Sequence, residues 1–164
     1  MRFLNENIQD ILPKAIIGKW MDGRNMDMTG LLKEFQQFWA NSSKKCLGRL
    51  DCKEAGPHLS LTAFIQKAVD GAAAVFNEFV DGTGYAYIVV QYAGRNHIIE
   101  LQIKDDQKSF EESKEQLAGH MDRLSTAEGW LMVFDRKSKK SGTKKICWET
   151  STTPTGQTIH TVGC

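Results

Sequence analysis

Long apolar runs, paired cysteines and a strong net charge are all missing from this sequence of 164 residues. No apolar run approaches the roughly 20 residues of a membrane-spanning helix. The first residues lack the basic segment and apolar segment that make up a signal peptide. A net charge of +1 gives the chain no overall attraction to nucleic acid or to membranes. We therefore expect a cytoplasmic protein with no membrane partner, and the sequence leaves its oligomeric state open.

Motifs for structural metal sites, disulfide frameworks and nucleotide hydrolysis are also missing. The four cysteines, at positions 46, 52, 147 and 164, include no C-x-x-C pair, so free thiols are expected. The chain has no G-x-x-x-x-G-K-[ST] sequence and so is not itself an ATPase of that type. Its four histidines share no ligand spacing.

Hydrophobic periodicity predicts one domain after a short N-terminal segment. Residues 1–28 are interpreted as a tail or connector with some helix, and residues 29–164 as the domain. The first helix is predicted to begin at Thr29 as its N-cap and to end within residues 41–45. A second helix is expected near Pro57. Further elements are predicted in the order strand 75–80, hairpin 85–104, helix 108–124, strand 129–135 and short strands at 146–149 and 158–162.

This order predicts an α/β fold of the α+β kind, in which helices flank a mixed central sheet. The hairpin is its most informative stretch, because its second strand carries polar side chains at alternate positions. Glu100, Gln102 and Lys104 share one face of that strand, since successive side chains point to opposite faces. A carboxylate, an amide and an ammonium group on one face of so apolar a strand indicate a polar site.

The register of the hairpin decides which residues face one another. A symmetric turn over residues 94–95 places Tyr87 opposite Gln102 and Val89 opposite Glu100. On the following helix, Gln116, His120 and Arg123 are spaced to share one polar stripe. His120 is therefore expected to face the same cleft as the polar strand.

The order helix, strand, hairpin, helix, strand resembles the PD-(D/E)XK nuclease superfamily, which implies a restriction-endonuclease-like core. More narrowly, the chain is similar to the C-terminal nuclease-like domain that follows an AAA-type ATPase module in many bacterial proteins of uncertain role. The resemblance covers residues 29–164. The stretches that carry it are Leu31-Leu-Lys-Glu-Phe-Gln-Gln-Phe38, Lys53-Glu-Ala-Gly-Pro-His-Leu59, Ile98-Ile-Glu-Leu-Gln-Ile103, Glu115-Gln-Leu-Ala118, Asp122-Arg-Leu124, Glu128-Gly-Trp-Leu-Met-Val-Phe-Asp-Arg136 and Ile159-His-Thr-Val-Gly-Cys164.

The resemblance implies a metal-dependent phosphodiesterase site built on acidic residues. Glu54 matches the family's helix glutamate, Glu100 its second strand carboxylate and Gln116 a glutamine of the following helix. The two glutamates would be the ligands of Mg or Mn, which are hard cations held by oxygen. For Glu54, a carboxylate favoured by the helix macrodipole is the plain alternative.

Two positions depart from the family's pattern. Tyr87 stands where the family has its first aspartate, and Gln102 where it has its lysine. The arginines that usually precede the aspartate are replaced by Thr83 and Tyr85. Two glutamates are too few ligands for a well-formed magnesium site. The expected function is therefore that of a degenerate nuclease-like domain with lost or weakened catalysis, which binds nucleic acid or protein in association with an AAA-type ATPase.

Two other functions stay open. The first is a divergent nuclease that uses Glu54, Glu100 and Lys104, with Asp81 as a substitute ligand. The second is a structural or regulatory domain that makes no contact with nucleic acid. For Lys104 and Asp81, a solvated strand end and an ordinary turn residue are the plain alternatives.

A basic loop is the remaining candidate site. Its six cations could bind a phosphate backbone, although such a run is more often a solvated hairpin tip. The residues are Arg136, Lys137, Lys139, Lys140, Lys144 and Lys145.

Overall fold

A computed structural model describes residues 12, 16–49, 56–80, 85–103, 110–134 and 147–164 of the chain. Within these ranges there are three helices and eight strands. The helices are α1 (Met28–Arg49), α2 (Gly56–Val69) and α3 (Phe110–Leu124). The strands are β1 (Met21–Asp22), β2 (Asn25–Met26), β3 (Ala74–Val80), β4 (Tyr85–Tyr92), β5 (Arg95–Ile103), β6 (Glu128–Phe134), β7 (Cys147–Thr152) and β8 (Thr158–Gly163).

The chain divides into two compact units, which are described separately. One comprises residues 1–75 and 92–94, and the other residues 76–91 and 95–164. Across the described ranges, no helix has both the length and the apolar character needed to cross a membrane.

The first unit contains α1 and α2, which contact each other through aromatic rings. Phe64 lies with its ring centroid 5.3 Å from that of Phe35 and 5.4 Å from that of Phe38. The segment predicted as a connector contributes buried apolar side chains to this unit, including Ile16 and Trp20. It also forms the short antiparallel pair β1–β2.

Both predicted ends of α1 were wrong. The N-cap is Asp27 rather than Thr29, because Asp27 Oδ1 accepts a hydrogen bond from the backbone N–H of Gly30 at 2.9 Å. Thr29 lies inside the first turn. At the other end, the helix continues through the polar residues 41–45 to Arg49. Asparagine and serine have modest helix propensity, whereas lysine is a good helix former, so this stretch is a weak stop signal and did not end the helix.

The second unit is built on a six-stranded sheet with strand order β3-β4-β5-β6-β8-β7. The pairs β5–β6 and β6–β8 are parallel, whereas β7–β8 is antiparallel. The helix α3 lies between the parallel neighbours β5 and β6 in sequence, as a parallel crossover requires. The prediction of an α+β fold with a mixed sheet is confirmed.

One face of this sheet is packed against α3. The apolar core between them combines residues of four strands with the inward stripe of the helix. Its members are Val89, Ile98, Leu117, Met121, Leu131, Val133 and Ile159. The approach is close at Gly129 of β6, where an added Cβ would lie 2.7 Å from Met121 Sδ. Glycine at this position therefore allows α3 to lie directly on the sheet.

The hairpin turn is Ala93–Gly94, not residues 94–95 as predicted. Both residues have positive φ, 50° for Ala93 and 76° for Gly94, as in a type I′ turn. The prediction was wrong because alanine rarely adopts this conformation, whereas Gly94 and Asn96, two residues further on, favoured a turn one residue later. A two-residue connection after Tyr92 places Tyr87 opposite Glu100, and Val89 opposite Ile98. Moving the turn by one residue changes the cross-strand partner of each residue by two positions. Because two is an even number, all these side chains keep their predicted face.

Candidate functional site

The strand β5 carries Glu100 and Gln102 into the interior beneath α3. Glu100 is 1% exposed and Gln102 5% exposed. Their neighbours on β6 are Leu131 and Val133, which belong to the apolar core. Burying a carboxylate in such surroundings costs free energy unless it is hydrogen-bonded.

A histidine of α3 provides a hydrogen bond to Glu100. His120 Nδ1 lies 3.3 Å from Glu100 Oε2. Burial lowers the pKa of His120, and the nearby charge of Arg123 lowers it further. The lowered pKa favours the neutral imidazole, so the contact between Nδ1 and Oε2 is a hydrogen bond between the ring and the carboxyl group rather than an ion pair. The prediction that His120 faces the polar side of β5 is confirmed.

The side chain of Tyr87 completes this cluster. Its ring centroid lies 4.5 Å from that of His120, with the two rings tilted by 40°. Tyr87 also packs against the apolar core. The predicted neighbour of Tyr87 was Gln102, but the observed turn makes Glu100 its cross-strand neighbour. The site is thus a buried carboxylate covered by a phenol and an imidazole.

A cleft of about 370 Å³ lies next to this cluster, within the second unit. Tyr87 and His120 line it, whereas Glu100 does not. Strands β3, β4 and β5 and helix α3 all contribute lining residues. These residues are Phe76, Glu78, Tyr87, Val89, Gln91, Ile98, His120, Arg123 and Leu124. Phe76 is 51% exposed, so the cleft presents a large aromatic surface to solvent.

The described residues do not fit a catalytic magnesium ion. Mg²⁺ binds oxygen ligands in an octahedral arrangement and usually retains several water molecules. Glu100 is 1% exposed, and Tyr87 stands opposite it, where the resemblance places an aspartate. In the described part of the chain, no group of three or more His, Cys, Asp or Glu side chains is arranged to hold a metal ion.

Several predicted site residues are not tested by the structure. Gln116 is exposed on α3, one turn before His120. Glu54, Asp81, Thr83 and Lys104 lie outside the described residues, as does the whole basic loop at 136–145.

A second histidine cluster, which the sequence did not reveal, lies on the other face of the sheet. His160 Nε2 lies 2.7 Å from Glu128 Oε2, and His160 Nδ1 lies 3.1 Å from Thr150 Oγ1. A hydroxyl, an imidazole and a carboxylate are the groups of a nucleophilic triad. However, Thr150 is exposed on an outer strand and does not line the cleft. The three residues come from three strands, so no local sequence pattern announces the cluster.

Comparison of the chain with protein-family models, with curated proteins and with solved structures found no match.

Proposed function

We propose that this chain is a nuclease-like domain of the PD-(D/E)XK type that has lost metal-dependent catalysis and binds nucleic acid. The order of its elements supports this proposal. Helix α2 is followed by the three strands β3, β4 and β5, then by α3 and β6. This is the order on which the resemblance rests.

The observation that carries the loss of catalysis is the burial of Glu100. A metal that activates water for phosphodiester hydrolysis needs carboxylates that reach both the metal and its water molecules. Glu100 is 1% exposed, and its Oε2 bonds to His120. The carboxylate that the resemblance assigns to a metal therefore takes part in a hydrogen bond inside the fold.

The replacement at position 87 is consistent with a site that holds no metal. Two carboxylates facing each other across neighbouring strands repel unless a cation lies between them. Tyr87 places a phenol there in place of a second carboxylate, and its ring packs against His120. Tyr87 thus avoids the repulsion that a second carboxylate opposite Glu100 would cause.

Cleavage, metal-binding and nucleic-acid-binding assays on the full chain test the proposal. We expect no cutting of single- or double-stranded DNA or RNA with Mg²⁺ or Mn²⁺, and no heat of metal binding by calorimetry. Filter binding should detect nucleic acid, with affinity that falls as salt rises. Metal-dependent cutting that is lost in Glu100→Ala would instead support a divergent nuclease. Absence of binding at low salt would support a structural role.

A further inference from the structure

We infer that the cleft beside Tyr87 and His120 is a binding site for a single unstacked guanine base. This inference rests on the proposed function and deepens it, because it assigns a specific ligand to a specific surface. All the residues that form the cleft lie in one unit of the chain.

The size of the cleft restricts the ligand to a small molecule or to one residue of a polymer. Its volume of about 370 Å³ lies near the lower end of the range, roughly 300–1,000 Å³, in which small-molecule sites fall. This volume accommodates one nucleotide but not a duplex. A base of a double helix cannot enter without leaving its stack, so the ligand is a free nucleotide or an unpaired base.

The walls of the cleft favour a flat aromatic ring. Phe76 on β3 is 51% exposed, and Tyr87 on β4 lies on the same cleft. The aliphatic side chains of Val89 and Ile98 add apolar surface to the same cleft. Bases stack on such aromatic surfaces because every base has a π face. A base stacked on Phe76 would remove this half-exposed ring from water.

The polar groups of the cleft distinguish guanine from the other bases. Glu78 presents a carboxylate, which only accepts hydrogen bonds when ionised. Guanine is the one common base whose Watson–Crick edge offers two adjacent donors, N1–H and the N2 amino group, and a carboxylate can accept both. Gln91 can donate to the guanine O6 atom, and Arg123 supplies a positive charge for the attached phosphate.

Calorimetric titration of the full chain with GMP and with AMP tests the inference directly. A short oligothymidine with one central guanine, and its counterpart with one central adenine, separate an unpaired base in a strand from a free nucleotide. We expect GMP and the guanine strand to bind better than their adenine counterparts, by roughly tenfold. In NMR spectra, the ring signals of His120 and the methyl signals of Leu124 should shift on binding, because both residues line the cleft.

Two substitutions and two matched controls locate the site. Phe76→Ala should weaken guanine binding roughly tenfold by removing the stacking surface. Glu78→Gln should remove the preference for guanine over adenine while leaving the fold unchanged. Ile17→Ala is the control for Phe76, because Ile17 is 46% exposed and does not line the cleft. Glu149→Gln, on the exposed face of β7, is the control for Glu78.

The outcomes separate this inference from the proposed function. Strand binding that is unchanged in Phe76→Ala and Glu78→Gln overturns the cleft assignment and leaves nucleic-acid binding in place. Binding of GMP without any strand binding supports the cleft as a nucleotide site and overturns nucleic-acid binding. Equal affinity for guanine and adenine overturns the base assignment. No binding of GMP or of the guanine strand overturns the inference as a whole, and filter binding alone then decides the proposed function.

Discussion

Two glutamate–histidine pairs lie on opposite faces of one sheet, and their surroundings differ. Glu100 and His120 meet at 3.3 Å, with the Glu100 side chain 1% exposed. Glu128 and His160 meet at 2.7 Å, with the Glu128 side chain 50% exposed. The shorter contact is the one that water competes for, so it contributes little to stability. Burial, rather than distance, decides what each pair contributes.

The two pairs also differ in what they connect. His120 belongs to α3 and Glu100 to β5, so their hydrogen bond joins the helix to the sheet. Glu128 and His160 lie on β6 and β8, which the backbone ladder already joins in parallel register. Loss of the buried pair therefore affects the packing of α3 on the sheet, whereas loss of the exposed pair affects only a local surface contact between β6 and β8.

The largest expected effect is that of His120→Leu, which should lower the free energy of unfolding by about 3 kcal/mol. The substitution introduces an apolar side chain of similar size and removes the hydrogen-bond partner of a buried carboxyl group. Glu128→Gln is the matched change at the exposed pair and should cost no more than about 1 kcal/mol. Urea unfolding followed by circular dichroism measures both values.

Equal losses of unfolding free energy in His120→Leu and Glu128→Gln would contradict the conclusion that burial decides what each pair contributes. A larger loss in Glu128→Gln would show that the exposed pair is the structural one. The slope of the urea transition should stay constant among the variants, because a changed slope would indicate an altered unfolded state rather than a lost contact.

A second test concerns the close contact between α3 and β6 at Gly129, which helps to hold α3 next to the buried pair. Gly129→Ala should destabilise the protein by about 2 kcal/mol, because the new Cβ would lie 2.7 Å from Met121 Sδ. Gly119→Ala on α3 is the control, since nothing lies within 4 Å of a Cβ there. It should stabilise the helix by about 0.5–1 kcal/mol, because glycine is a poor helix former. Thermal unfolding distinguishes the two, and stabilisation by Gly129→Ala would show that α3 does not depend on this contact.

The sequence predicted long elements and the polar face of β5, but not the contacts that depend on distant pairing. Local patterns determine β5, β6 and α3, because a strand or helix shows its period within its own residues. His120 was correctly expected to face the polar side of β5, since helical spacing fixes its face. The cluster of Glu128, His160 and Thr150 depends on the register of three strands, which no local pattern encodes.

The hairpin shows how one local error alters the interpretation of a site. The predicted turn, placed one residue too late, paired Tyr87 with Gln102. The observed turn at Ala93–Gly94 instead puts Tyr87 opposite Glu100. The phenol ring is therefore next to the buried carboxyl group of Glu100 and to His120, rather than next to the amide of Gln102.

The smallest effect concerns pH. Burial lowers the pKa of both His97 and His120 in the folded protein. In the unfolded chain these rings bind a proton near pH 6.5, so the unfolded state takes up more protons than the folded state as the pH falls below that value. Stability should therefore decrease on acidification from pH 7.5 to pH 5. His120→Gln should reduce this decrease, whereas Gln116→Ala, a change without a titratable group on the same helix, should leave it unchanged. Urea unfolding at several pH values measures the slope, and a slope as steep in His120→Gln as in the parent protein would show that the imidazole is not held neutral by burial.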